Sequence, residues 1–301
     1  MLNLVHHLLR YFFCAIIFAT LSAPATATIS IQDDSARIVT LSTPARRIVS
    51  LAPHATELLF AIGAGAQLVG VSDYSNYPPA ANSVAHIGSA TALDMERLLS
   101  LRPDLIVTWG ASNGQLTPQI NQLRALGIAV FDSDPKDFAT IATALERLGK
   151  LTGHEDQAHN AASQFRTRWQ SLQTQHANRP SVSVFYQVWH QPLMTLNDAH
   201  LVSAVIRLCG GRNIFGHLST LVPTVNLEAV LAADPEVILS GSSRDDTPSD
   251  WLRLSSLTAV RRGNLYKVNS DWLARPGPRI LDGAQAVCEQ LDKARTKRVA
   301  P

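Results

Sequence analysis

The feature that most constrains this chain is that its second half echoes its first. Asp94-Met95-Glu96-Arg97-Leu98-Leu99-Ser100-Leu101-Arg102-Pro103-Asp104-Leu105-Ile106-Val107 has a counterpart in Asn226-Leu227-Glu228-Ala229-Val230-Leu231-Ala232-Ala233-Asp234-Pro235-Glu236-Val237-Ile238-Leu239. Both carry Glu at the third position, the same apolar spacing, and a proline before the acidic residue that opens a strand. Residues 61–65 running on to Leu68-Val69-Gly70 are matched by residues 207–211 running on to Ile214-Phe215-Gly216, and residues 130–134 by residues 267–271. Three echoes in one order point to a duplicated supersecondary unit.

The unit has an α/β rhythm. Short β-branched runs (Ile48-Val49-Ser50-Leu51, Leu68-Val69-Gly70-Val71, Leu105-Ile106-Val107-Thr108-Trp109, Ala129-Val130-Phe131) alternate with helical-period segments at residues 56–62, 95–101 and 117–126. Such alternation predicts a parallel sheet covered on both faces. Residues 137–176 then carry no strand signal. Ala158, Ala161, Ala162, Phe165, Trp169 and Leu172 recur at helical spacing and predict one long helix over 154–175, ended by Asn178-Arg179-Pro180. A second series opens at Val182-Ser183-Val184-Phe185-Tyr186 and continues through Val237-Ile238-Leu239 and Leu265-Tyr266-Lys267-Val268. The expected fold is α/β, with two Rossmann-like lobes of parallel sheet joined by one long helix and a ligand cleft between them. The expected divisions are a signal peptide at 1–27, a first lobe at 28–153, a spine helix at 154–178 and a second lobe at 179–301. The competing arrangement is one large domain carrying that helix on its surface. Open α/β sheets bind ligands at the carboxyl ends of their strands. A rigid helical connection allows only a small hinge motion.

The start of the chain reads as an export signal. His6, His7 and Arg10 precede an apolar run from Tyr11 to Ala19, and Ala25-Thr26-Ala27 has the A-x-A form of a cleavage site. The run is shorter than the roughly 20 residues that span a bilayer. The expected location is therefore the periplasm. Cleavage after Ala27 removes Arg10 from the 26 Lys and Arg that stand against 24 Asp and Glu, leaving a nearly neutral protein. No basic face points to nucleic acid. Only Cys209 and Cys288 then remain, an even pair in an oxidising compartment, so they form either a disulfide or two separately buried thiols. Both lie in apolar helical patterns and no C-x-x-C is present, which favours a structural role.

Catalytic patterns are missing from the sequence. It has no phosphate-binding loop, no G-x-G-x-x-G after a strand, no H-E-x-x-H and no G-x-S-x-G elbow, so neither an enzyme nor a metal site is expected. Aromatic residues gather instead where the strands end: Tyr74 and Tyr77 after the second, Trp109 on the third, Tyr186 and Trp189 in the second lobe, and Trp272 after its last strand. Such a set suits a large planar ligand held by stacking and a few hydrogen bonds, although each ring taken singly is as well explained as a core or turn residue.

Several segments carry a resemblance. Residues 50–57, residues 72–79 (Ser-Asp-Tyr-Ser-Asn-Tyr-Pro-Pro), the two Glu-bearing repeats, Cys209-Gly210-Gly211-Arg212-Asn213-Ile214-Phe215, and Ser270-Asp271-Trp272 with Pro278-Arg279 resemble the periplasmic cobalamin-binding proteins of ABC importers. These belong to the wider helix-spined (class III) group that also carries iron–siderophores, haem and bare metals. The resemblance implies that cobalamin or a related corrinoid is transported cargo rather than a cofactor, with an iron–siderophore or haem as the alternative. It implies a corrinoid contact at Tyr74, a facing loop at Asp271, Trp272, Leu273, Ala274 and Arg275, and a disulfide between Cys209 and Cys288. It also implies that Glu96 and Glu228, one per lobe, dock a monomeric binding protein onto a two-fold symmetric ABC-type permease. Relatives carry a tryptophan shortly before each of those glutamate helices, where this chain has Ala90 and Val222. Either Trp109 and Trp189 replace that stacking surface, or the ligand is another corrinoid or metal chelate. His54, beside the first strand end, is expected to be a turn residue or to reach a bound metal.

Overall fold

A hairpin of β1 (Ile29–Gln32) and β2 (Ile38–Leu41) leads into the first of two equivalent parallel sheets. The computed structural model describes residues 28–89, 91–110, 114–241 and 248–298; the expected signal segment and Ala90 lie outside them. In the first half, β3 (Ile48–Ser50), β4 (Leu68–Val71), β5 (Leu105–Thr108) and β6 (Ala129–Asp132) pair in the order β4-β3-β5-β6. In the second, β7 (Val182–Gln187), β10 (Gly211–Asn213), β11 (Val237–Ser240) and β12 (Leu265–Lys267) pair in the order β10-β7-β11-β12. All of these pairings are parallel, and both sheets run second, first, third, fourth strand. The duplicated topology is the one the sequence echoes imply.

Side chains on successive strand residues point to opposite faces, and both faces are buried, which is why the strands read as unbroken apolar runs. Ile48, Leu105, Val107 and Phe131 enter a central apolar cluster, while Val49, Ile106 and Val130 face an outer one. The outer layer is completed by Leu98 of α2 (Met95–Ser100) and by Ile120 and Leu123 of α3 (Thr117–Ala125). The central cluster includes α1 (Pro53–Ala61) and α4 (Phe138–Thr152) and continues into the second half through Val182, Val184, Val237 and Leu239. Phe185 and Ile238 face that half's own outer layer.

The Glu-bearing repeats owe their likeness to one folding device. Asp94 and Asn226 cap α2 and α7 (Leu227–Ala233) by accepting from the backbone N–H of Arg97 and Ala229 at 2.9 and 2.8 Å. Each helix is left through a non-glycine residue in the left-handed region, Arg102 at φ 46° and Asp234 at φ 37°, just before the proline. The next acidic side chain then fixes the start of the first strand. Asp104 accepts from the backbone N–H of Arg46 and Arg47 at 2.7 and 3.0 Å, and Glu236 accepts from that of Ser183 at 3.2 Å. One echo is offset. The second strand of the second half is Gly211–Asn213 rather than Ile214-Phe215-Gly216. Buried Asn213 donates to the carbonyl of Leu196 and accepts from the N–H of Phe215, closing a turn that drops Ile214 and Phe215 into the outer core.

The long helix is α5 (Glu155–His176). Trp169 stacks on Phe138 with ring centroids 5.4 Å apart, and Arg166 forks onto Glu146 at 2.6 and 2.9 Å, holding that carboxyl below the usual range. On the other side Arg168 donates to Asp282 at 2.6 Å and to Gln285 at 3.2 Å, both on α11 (Ile280–Thr296). The spine is thus fastened to both halves. Cys209 and Cys288 form a buried disulfide between the end of α6 (Leu201–Leu208) and α11.

A second tie crosses between the halves. The carboxylate of Glu57 on α1, only 3% exposed, accepts from Arg275 Nη1 at 3.0 Å and from Arg279 Nε and Nη2 at 2.9 and 2.5 Å. Arg275 also donates to Asn76 at 2.9 Å and pairs with Asp271 at 2.9 Å. The Arg279 guanidinium lies 3.9 Å over the Tyr77 ring. Removing one member of so dry a cluster leaves charge without compensation. Glu57→Gln is expected to lower unfolding free energy by about 3 kcal/mol, measured by urea denaturation. Replacing both cysteines by serine releases a closure spanning 79 residues and is expected to cost about 4 kcal/mol in the same assay.

Candidate functional site

The carboxyl ends of the two sheets face a cavity of about 290 Å³. From the first half it is lined by Trp109, Asp134, Pro135 and Lys136, and from the second by His200, Leu221, Leu273, Ala274 and Pro276 among others. Its position follows from topology: each wall begins where a parallel strand stops and the chain turns to its next element. A more open groove of about 880 Å³ runs along the outside of α5 and α11, lined by residues such as Gln164, Arg168, Gln175 and Glu289. No strand end reaches it, and it has the character of a seam between two helices.

Trp109 has its plane fixed by two contacts. Its Nε1 donates to Asp134 Oδ1 at 2.8 Å, and its ring meets His54 edge-on with centroids 5.1 Å apart. Asp134 is itself held by Lys136 at 2.5 Å and by its own backbone N–H, which donates to Asp34 at 2.6 Å. His54 is 1% exposed, so it supports the tryptophan from behind. Its Nε2 donates to the carbonyl of Ser133 at 3.0 Å, and burial drives its pKa down to about 4, leaving the ring neutral.

Tyr74 stands on an anchored loop. Ser72 and Ser75, both buried, join Thr56 and Ser50 in a chain of hydroxyl hydrogen bonds: Thr56 to Ser50 at 2.8 Å, Thr56 to Ser75 at 3.1 Å, and Ser72 with Ser75 at 3.3 Å. Between those serines Tyr74 takes φ 64° and is 77% exposed. The loop continues to Asn76 and Tyr77, which the arginines paired with Glu57 hold in place. Across from it, Asp271, Trp272, Leu273 and Ala274 form α10 (Ser270–Ala274) with Asn269 as its cap. Leu273 and Ala274 reach the cavity, whereas Arg275 is committed to Glu57, Asn76 and Asp271. Trp189 lies on a two-strand hairpin, β8 (Trp189–His190) with β9 (Leu193–Met194), that leaves the end of β7; it is 46% exposed.

Of the residues expected to meet ligand, the structure brings Trp109, Leu273 and Ala274 together in the cavity wall. Tyr74, Trp189, Asp271 and Trp272 stand on segments that follow strand ends without lining that cavity. Tyr186, counted among the mouth aromatics, is instead a core residue: it is 5% exposed, its ring joins the central cluster, and burial raises its pKa. Glu96 and Glu228 are both exposed near the starts of equivalent helices, with no ion pair among the described residues. Val222 is half-buried against the central cluster. Asp134, Lys136, His200, Leu221 and Pro276 escaped sequence reasoning. Only Asp134 carried a signal, as the last residue of an echo. Among the described residues, no group of three or more His, Cys, Asp or Glu side chains is arranged to hold a metal ion.

Comparison with known proteins places this geometry in context. The chain is 39% identical over 249 residues to the vitamin B12-binding protein of Vibrio cholerae, covering 82% of this chain and 90% of that one. It is 38% identical over 250 residues to the vitamin B12-binding protein of Yersinia pestis, covering 82% and 86%. The crystal structure of the periplasmic vitamin B12 binding protein BtuF of Vibrio cholerae superposes with a TM-score of 0.77, covering 84% of this chain and 98% of that one. The periplasmic heme binding protein HutB of Vibrio cholerae shares the fold, with a TM-score of 0.72 at 22% identity, covering 81% and 98%. Residues 48–271 match the periplasmic binding protein family, whose members bind small molecules and are not enzymes. The chain belongs to the periplasmic binding protein family.

Proposed function

We propose that this protein captures cobalamin or a related corrinoid between its lobes and delivers it to an ABC-type permease. The observation that carries the reading is the 39% identity to a vitamin B12-binding protein over 90% of its length, in a chain whose own cleft presents a fixed tryptophan face. Residues 1–27 serve as a signal peptide cleaved after Ala27, and the mature monomer divides into lobes at 28–153 and 179–301 around the spine. Trp109, Leu273 and Ala274 form the inner wall of the site, with Tyr74, Trp189, Asp271, Trp272 and Arg275 around its rim. Fastened by the spine and by Glu57, the lobes close through a small angle.

The paired glutamates support the delivery step. They occupy the same position in two equivalent helices, so they offer one anchor per lobe to a permease of two-fold symmetry. Carboxylates near a helix N-terminus are favoured by its dipole, and these two remain exposed for a cationic partner.

Two measurements test the reading. Calorimetry with cyanocobalamin and cobinamide, against haem and a ferric siderophore, is expected to give a corrinoid dissociation constant tighter than ~10 μM; a micromolar complex needs only about −8 kcal/mol. Preference for haem or a siderophore would overturn the ligand assignment. Glu96→Ala with Glu228→Ala is expected to leave corrinoid affinity within about twofold of wild type and to reduce permease-dependent uptake at least tenfold, since a desolvated charge pair contributes more than about 1.4 kcal/mol. Uptake at the wild-type rate would place the docking surface elsewhere.

A further inference from the structure

The two halves differ where the first strand turns into the first helix. In the first half only Leu51 and Ala52 separate β3 from α1, whereas residues 188–200 separate β7 from α6. The longer connection ends on His200, which caps α6: its Nδ1 accepts from the backbone N–H of Val202 at 3.1 Å. A ring nitrogen that accepts from an N–H uses its lone pair there, so the proton of the neutral imidazole sits on Nε2. Burial, with a smaller effect from Lys136, lowers the His200 pKa and keeps the ring neutral at pH 7. The ring lines the 290 Å³ cavity, in whose wall Trp109, Asp134 and Lys136 of the other half also stand. Nε2 has no hydrogen-bond partner among the described residues, and it is not among the solvent-inaccessible polar atoms.

We propose that His200 is a ligand-contacting residue whose Nε2–H donates to an acceptor oxygen of the bound molecule, and that it does not coordinate the ligand's metal. Coordination through Nε2 would move the ring proton to Nδ1, where it would oppose the Val202 N–H and uncap the helix. The donor therefore selects cargo with a peripheral acceptor at that place. A donor that the bound ligand covers without offering an acceptor discriminates strongly against analogues that lack one. Resting on the corrinoid reading, the proposal admits two sources of that oxygen: a side-chain carboxamide of the ring, or the phosphate of the nucleotide loop.

The test uses His200→Ser, because serine keeps a helix cap while removing the imidazole. The variant is expected to melt within a degree or two of wild type and to bind cyanocobalamin about tenfold more weakly. An equal loss with cobinamide, which lacks the nucleotide loop, assigns the oxygen to a carboxamide. A loss confined to cyanocobalamin assigns it to the phosphate. Unchanged affinity for both corrinoids in a variant whose wild type binds them overturns this proposal alone. A wild type that binds neither overturns it together with the corrinoid reading. Nitrogen NMR of the ligand-free protein is expected to show the Nε2–H tautomer at His200, and an Nδ1–H tautomer overturns the proposal whatever binds. So does an absorption change of bound aquocobalamin that His200→Ser abolishes, because that would mark metal coordination.

Discussion

The carboxylate of Glu57 is the group on which the relation between the two halves most depends. It lies on the first helix of the first lobe and takes three hydrogen bonds from two arginines more than two hundred residues away in sequence. Three charges out of water are stable only when each satisfies the others, because the attraction between them has to offset their lost hydration. Here the arrangement is nearly complete: Arg275 reaches Glu57, Asn76 and Asp271, while Arg279 covers the face of Tyr77. The consequence extends beyond stability. The loop bearing Tyr74 is gripped from the other lobe through Asn76 and Tyr77, so its position depends on both halves at once.

Duplication and departure from duplication do different jobs in this fold. Duplication gives two sheets of one strand order and two short capped helices, each followed by a strained residue, a proline and a register-setting acid. What it leaves on the surface is also duplicated, namely Glu96 and Glu228. The cleft, by contrast, adds to the shared strand-end segments a part the halves do not share, which brings His200 into its wall. The tight turn through Leu51 and Ala52 carries the chain into α1 and the buried His54, while the long 188–200 connection carries Trp189 and His200. For the function proposed, the duplicated exterior suits a two-fold partner and the unlike interior suits an asymmetric ligand.

Much of this was legible in sequence because it is local. Strand–helix alternation, the proline-acid steps and the spine's apolar stripe are all set by residues within a few positions of one another, and the structure has each of them. The short pieces were not legible. The β1–β2 and β8–β9 hairpins have too few residues to show a period, and β10 escaped because Asn213, a turn former by composition, is consumed by buried hydrogen bonds at a strand end. Tyr186 stayed open between core and mouth because a strand's last residues look alike in either place; the central cluster decides it. Arg275 showed as a charge near the cleft, but its partner Glu57 shares no local pattern with it. Long-range pairing of that kind leaves no periodic trace.

The cleft is built more from fixed parts than from mobile ones, and that bears on how it holds a ligand. Trp109 is restrained by Asp134 at one edge and by neutral His54 at the other, and Asp134 is restrained in turn by Lys136 and the backbone. Outside the cavity wall, the loop that bears Tyr74 is likewise anchored, its serines tied to β3 and α1. Side chains already held in place lose little entropy when a ring settles on them, so less of the contact free energy is spent on ordering the site. A spine fastened to both lobes and an ionic seam between them tie the two walls to each other. Walls held in this way suit selection by shape and by a few oriented donors.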